Sequence, residues 1–276
     1  GTVDFGAGNV SSNSNSYDVF VTKYNAAGAH EWTTTFGGSD SAYSKGMAVD
    51  AAGNVHVIGT FQGTVDFGGS SIINNGNVGT FVTKLNSSGA HQWTTHFFGL
   101  GYQMGYAVAV DSSGNVYTTG SCSGTTNFGG GNIDCTNDAK IFITKLNSSG
   151  THQWSTTLGS TDSQAGFGVA ADGSGNVYVT GYFYGTVNFG AGNVTSAGTG
   201  DGFVTKLNSS GVHQWANTFG GTGDDRGLTV AVDGAGNVYT TGIFRNTVDF
   251  GAGNVSSNNN SADVFVTKLN AAGAQQ

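Results

Sequence analysis

The run AVAVDSSGNVYTTGSCSGTTNFGG, residues 107–130, decides how the rest of this chain is read. Ala107–Val110 and Val116–Gly120 alternate apolar with small or polar residues, the period of a half-buried strand and not of a helix. Asp111-Ser-Ser-Gly-Asn between them reads as a tight turn, because Asp accepts local backbone hydrogen bonds and Gly supplies a positive φ. Gly-Thr-Thr-Asn-Phe-Gly from Gly124 then predicts a short extra hairpin. The next run, FITKLNSSGTHQW (142–154), gives two more alternating segments about an Asn-Ser-Ser-Gly turn.

The same unit recurs along the chain. Trp32, Trp93, Trp154 and Trp215 stand 61 residues apart, and Asp50, Asp111, Asp172 and Asp233 keep that step. Gly-Thr-Val-Asp-Phe-Gly opens the chain and returns, with small changes, at Gly63, Gly124, Gly185 and Asn246. The units are therefore 1–62, 63–123, 124–184 and 185–245, with a half unit at 246–276. Four antiparallel strands per unit, repeated radially, predict an all-β, propeller-type array of four-stranded blades. A β-helix has a much shorter period, and an immunoglobulin array needs about 100 residues per unit. The strands are labelled A (before each of the four Asp), B (after that turn), C (the Phe-Val-Thr-Lys segments) and D (containing Trp).

These runs, closed by Leu-Gly-Ser at 158–160, resemble the bacterial seven-bladed beta-propeller repeat, SBBP. The likeness extends over essentially the whole chain and repeats at Asp172-Gly-Ser-Gly-Asn and Asp233-Gly-Ala-Gly-Asn. It implies a bacterial, exported or surface-associated protein, of a kind often without assigned activity. The chain departs from that pattern in having four and a half units where the family name implies seven.

Composition narrows the function. The 276 residues include 48 Gly and no Pro, and charged residues make up 9% against roughly 25% in average domains. A net charge of -8 argues against a nucleic-acid partner, which needs a basic face. No apolar run approaches the roughly 18 residues of a membrane span, so membrane insertion is not expected. Starting at Gly1 with no apolar leader, the chain reads as a mature product or an excerpt.

The chemistry-bearing residues follow the repeat. His30, His91, His152 and His213 sit two residues before each Trp, in different blades, and cannot share a metal; His56 replaces a Tyr of the other units, and His96 alone lies outside the pattern. One carboxylate per Asp turn is too few for a calcium loop. Asn86, Asn147 and Asn208 are formal glycosylation sequons, but Asn25 and Asn270 keep the same turn without the acceptor. The Trp and Lys series read as packing and strand residues, with sugar stacking and ligand contacts as the respective alternatives. Cys122 and Cys135 flank the third hairpin, where the chain doubles back, and predict a disulfide; two buried free thiols are the alternative. No catalytic constellation, metal site or cofactor motif emerges, so no enzymatic activity is expected.

What varies between units marks a candidate ligand face. The D–A connections carry Asp40, Tyr43 and Lys45 in the first; Tyr102 and Gln103 in the second; Asp162 and Gln164 in the third; Asp224, Asp225 and Arg226 in the fourth. Loops on a rigid scaffold are where binding resides, although unconstrained drift gives the same variation. The last 30 residues closely resemble residues 1–30, so five C strands are expected against four of each other kind. The surplus half unit predicts head-to-tail pairing with a second copy; missing blades of a longer array are the alternative. The resulting expectation is an extracellular, non-enzymatic structural or adhesive protein that self-associates. The alternative is a lectin-like propeller that binds surface glycans through its variable face.

Overall fold

The computed structural model describes residues 1–12, 16–159, 162–259 and 261–276, and all side chains of these except that of Asn137. Among the described residues it is all-β, with 23 strands and no helix. An N-terminal hairpin, β1 (Thr2–Asp4) and β2 (Asn9–Ser11), precedes a C–D pair, β3 (Val19–Tyr24) and β4 (His30–Gly38). The first whole blade is β5 (Ala42–Val49), β6 (Val55–Asp66), β7 (Ser71–Leu85) and β8 (His91–Gly99). Next comes β9 (Gln103–Val110), β10 (Val116–Asn127), β11 (Asn132–Leu146) and β12 (His152–Leu158). In the third blade, β13 (Gln164–Ala171), β14 (Val177–Phe183), β17 (Asp201–Leu207) and β18 (His213–Phe219) enclose the hairpin β15 (Thr186–Asn188) and β16 (Asn193–Thr195). The last has β19 (Arg226–Val232), β20 (Val238–Phe244), the hairpin β21 (Thr247–Asp249) and β22 (Asn254–Ser256), and β23 (Asp263–Leu269). Every named pairing is antiparallel; the three whole blades are A-B-C-D meanders, and among the described residues the last sheet has A, B and C strands only.

Turn chemistry sets these strand ends. Asp111 Oδ1 accepts the backbone N–H groups of Ser113 and Asn115 at 2.9 Å, and its other oxygen accepts Asn115 Nδ2 at 2.8 Å. Asn147 Oδ1 caps the C–D turn alike, accepting from Ser149 and Thr151. Its oxygen is therefore engaged in the turn, as are those of Asn86 and Asn208.

Two devices join blade to blade. The Trp93 indole N–H donates to the Ser148 carbonyl of the following C–D turn at 3.1 Å, and Trp32, Trp154 and Trp215 do the same one unit apart. Gly89, at φ +82°, lies flat on Trp32; a Cβ there would meet the indole at 2.7 Å, so only glycine fits. The Trp series thus joins successive blades. The second device is the hairpin. In the first two whole blades it is fused into β6–β7 and β10–β11, and it reaches back to the preceding D strand, Asp66 against Gly37 and Asn127 against Phe98. Each hairpin Phe plugs its own blade: Phe67 lies 4.6 Å from Phe81 and 5.5 Å from Phe61. Where Phe61 has its counterpart Cys122, a disulfide to Cys135 closes the hairpin instead.

A strands lie innermost in a row, β5, β9, β13, β19, each against the B strand of the blade before where one exists. The row stays open. Val108 and Val169 are buried in this arrangement, whereas Met47, at the same repeat position in β5, is 61% exposed. Val264 and Val266 on β23 are each 74% exposed, although their counterparts Ile141 and Ile143 are wholly buried.

Candidate functional site

The structure disperses the variable D–A residues over four junctions. Gln103, Gln164 and Asp225 share one repeat position at the start of the A strands, and all three are buried. Gln103 Nε2 donates to Thr126 Oγ1 at 3.1 Å, and Asp225 accepts the N–H groups of Gly221 and Arg245. Buried at the start of the A strands, these three side chains are not exposed on the variable face. Asp40 and Asp162 are exposed and rest against the positive-φ glycines Gly63 and Gly185. Asp224 grips Arg226 through two hydrogen bonds, 2.8 and 3.1 Å, and the guanidinium lies 4.8 Å over Tyr182. Tyr43 and Tyr102 are exposed; Tyr43 leans on Tyr17 at 5.4 Å with Lys45 Nζ 6.0 Å above its ring.

The other recurrent side chains are spent on the scaffold. Tyr117 and Tyr178 donate to the Asp of their own turns, and Lys145 and Lys206 lie over those two rings at 5.3 and 5.2 Å. His91 and His152 hydrogen-bond Thr94 and Ser155 in their own strands. Among the described residues no group of three or more His, Cys, Asp or Glu could hold a metal.

One concavity differs in kind. Between the hairpin end of β7, the end of β8 and the hairpin of β10–β11 lies a groove of about 560 Å³. Ile73, His96, Phe98 and Leu100 supply its apolar wall; Asn74, Asn75, Asn127 and Asn132 bring the polar groups. Phe98 is 45% exposed and Leu100 77%, large apolar surfaces left in water. The His96 ring stacks on Phe98, centroids 5.1 Å apart and planes 28° from parallel. Burial holds the imidazole pKa below its ordinary value, so the ring is neutral at pH 7. Asn127 pairs directly across from Phe98, and Asn74 is fixed by the Gly76 N–H at 3.0 Å.

Sibling units make this groove conspicuous. Where Phe98 stands they have Gly37, Gly159 and Gly220; where His96 stands, Thr35, Thr157 and Thr218. Ile73 replaces Ser11, Asp134, Thr195 and Ser256 at the same hairpin register. Sequence reading isolated His96 only. The signal for the rest was a polar-to-apolar change against the repeat, confined to one unit.

A family model agrees with the architecture. The beta-propeller repeat SBBP matches residues 92–129 and 153–182, and these segments belong to that repeat family. No curated protein matches the chain. Among solved structures, a protein of unknown function from Bacteroides caccae is 10% identical and aligns over 90% of this chain and 85% of its own, with a TM-score of 0.36. The chain is thus an all-β repeat protein, two segments of which match the SBBP beta-propeller repeat. Its disulfide, and the lack among the described residues of a helix able to cross a membrane, are compatible with secretion.

Proposed function

We propose that this is a non-enzymatic, extracellular structural and adhesive protein that assembles head to tail by strand exchange. One observation carries the reading: β3 and β23 share Asp-Val-Phe-Val-Thr-Lys, at 18–23 and 263–268, but have opposite surroundings. β23 pairs with the B strand β20, while β3 pairs, among the described residues, with β4 alone. In the assembly β3 and β4 of one copy take the place of β23 beside β20 of the next. Two strands from each copy then make one whole blade, and its face covers β5 of the incoming copy. The contact is heterologous and does not close on itself, so it propagates as a fibre.

Electron microscopy of native material across a dilution series tests this. Ordered fibres are expected, lost in Met47→Glu because that side chain lies on the covered face. Val266→Glu should leave them intact, since β23 is the strand displaced. Monomers at every concentration of the unaltered protein would sink the proposal.

A further inference from the structure

We infer that the groove between β7, β8 and the β10–β11 hairpin is a binding site for a neutral oligosaccharide. The inference is independent of strand exchange, because the groove uses neither β3 nor β23. Its first support is the repeat itself. Three sibling D strands hold Thr and Gly where this one holds His96 and Phe98, and four sibling hairpins hold a polar residue where this one holds Ile73. Independent drift would scatter such changes along the blade. Here Ile73, His96, Phe98 and Leu100 line one cavity.

The remaining lining identifies the ligand class. No Asp, Glu, Lys or Arg lines the groove, so nothing there compensates a charged ligand. Its side-chain amides belong to four Asn; Asn74 and Asn127 already accept backbone N–H groups, while Asn75 and Asn132 each offer a donor and an acceptor. No hydrogen bond within the chain engages the side chains of Asn75 or Asn132, or the His96 ring nitrogens, among the described residues. A pyranose ring has an apolar C–H face and a hydroxyl rim. The Phe98–His96 stack matches the first and the carboxamides match the second, the mix of apolar wall and few fixed polar groups typical of small-ligand sites. A charged glycan would leave its charge unpaired. A ligand without polar groups would leave the free amides unpaired, which costs affinity.

Isothermal titration calorimetry on the intact protein tests this with soluble gluco-, manno-, galacto- and N-acetylglucosamine oligomers. Oligogalacturonate, an apolar peptide and buffer serve as contrasts. At least one neutral probe should bind saturably. Phe98→Tyr should keep that binding, whereas Phe98→Ala and Asn75→Ala should each weaken it about tenfold or more. The triple variant Ile73→Ser, Phe98→Gly, Leu100→Thr gives this unit the side chains of its siblings; it should keep the native circular dichroism and melting temperature and lose binding. Three results overturn the inference: no heat from any neutral probe at about millimolar concentration, binding unchanged in the triple variant, or preference for the charged oligomer or the peptide.

Discussion

Met47 and Val169 occupy the same place in the 61-residue unit, and their surroundings differ completely. Val169 is 9% exposed, enclosed between its own blade and the one before; Met47, on the first A strand, is 61% exposed. β23 and β17 repeat the contrast at the other end of the row. Equivalent segments of the repeat therefore take up the same strand whether or not a neighbour is present, and the neighbour decides whether the face is wet. The blade is the unit of shape, and the junction is where burial adds stability.

The largest test of that contrast is a charge placed at both positions. Val169→Glu buries an unpaired carboxylate and should cost about 3 kcal/mol or more, whereas Met47→Glu should change monomer stability by less than about 0.5 kcal/mol. Urea denaturation of the two variants measures the difference, and equal losses would break the comparison. A smaller effect sharpens it at the Trp contacts. Trp154→Phe keeps the ring but removes the N–H donor to the exposed Ser209 carbonyl, which still accepts from Lys145, and should cost about 0.5–1 kcal/mol in the same assay.

At the last junction two carboxylates meet, and burial holds both Asp201 and Asp225 above the ordinary carboxylate range. Asp201 Oδ1 has no hydrogen-bond partner. A carboxyl whose folded pKa is raised favours the fold at low pH and loses that contribution as pH rises through the folded value. Asp201→Asn should therefore raise stability by about 1 kcal/mol at pH 7 and by nothing at pH 3, read from melting temperatures at the two pH values.

The smallest predicted effect is at His56, wholly buried where sibling units have Tyr117 and Tyr178 hydrogen-bonded to Asp. Burial, then the nearby Lys84 charge, lowers its pKa. A His depressed in the folded state loses stability as pH falls below its unfolded value of about 6.5. His56→Tyr should flatten the melting-temperature profile between pH 6.5 and 5. His96, His152 and His213 are also depressed, so a residual slope should remain.

The strand alternation, both turn types and the Cys122–Cys135 bridge, whose cysteines stand 13 positions apart, were legible in the sequence because each depends on residues close together in the chain. The Trp contacts were legible through recurrence, since a side chain repeated in every unit meets the same partner in the next. The candidate site was harder. Gln103, Gln164 and Asp225 read as loop residues because nothing local reveals that they are buried at or beside the start of a strand. The rim groove escaped for the opposite reason: Phe98 and Leu100 continue an alternating strand pattern and look like more core. Only their exposure in the folded chain tells them from it.

The Trp-to-turn contact has a consequence for how this array comes apart. Each indole N–H reaches only the following unit, so no residue of this series ties one blade to a distant one. Such a molecule behaves like a row of coupled switches, each biased by its immediate neighbours. Melting should begin at the outermost blades and travel inward, and the number of blades could change over generations by whole units without rewriting any surviving contact.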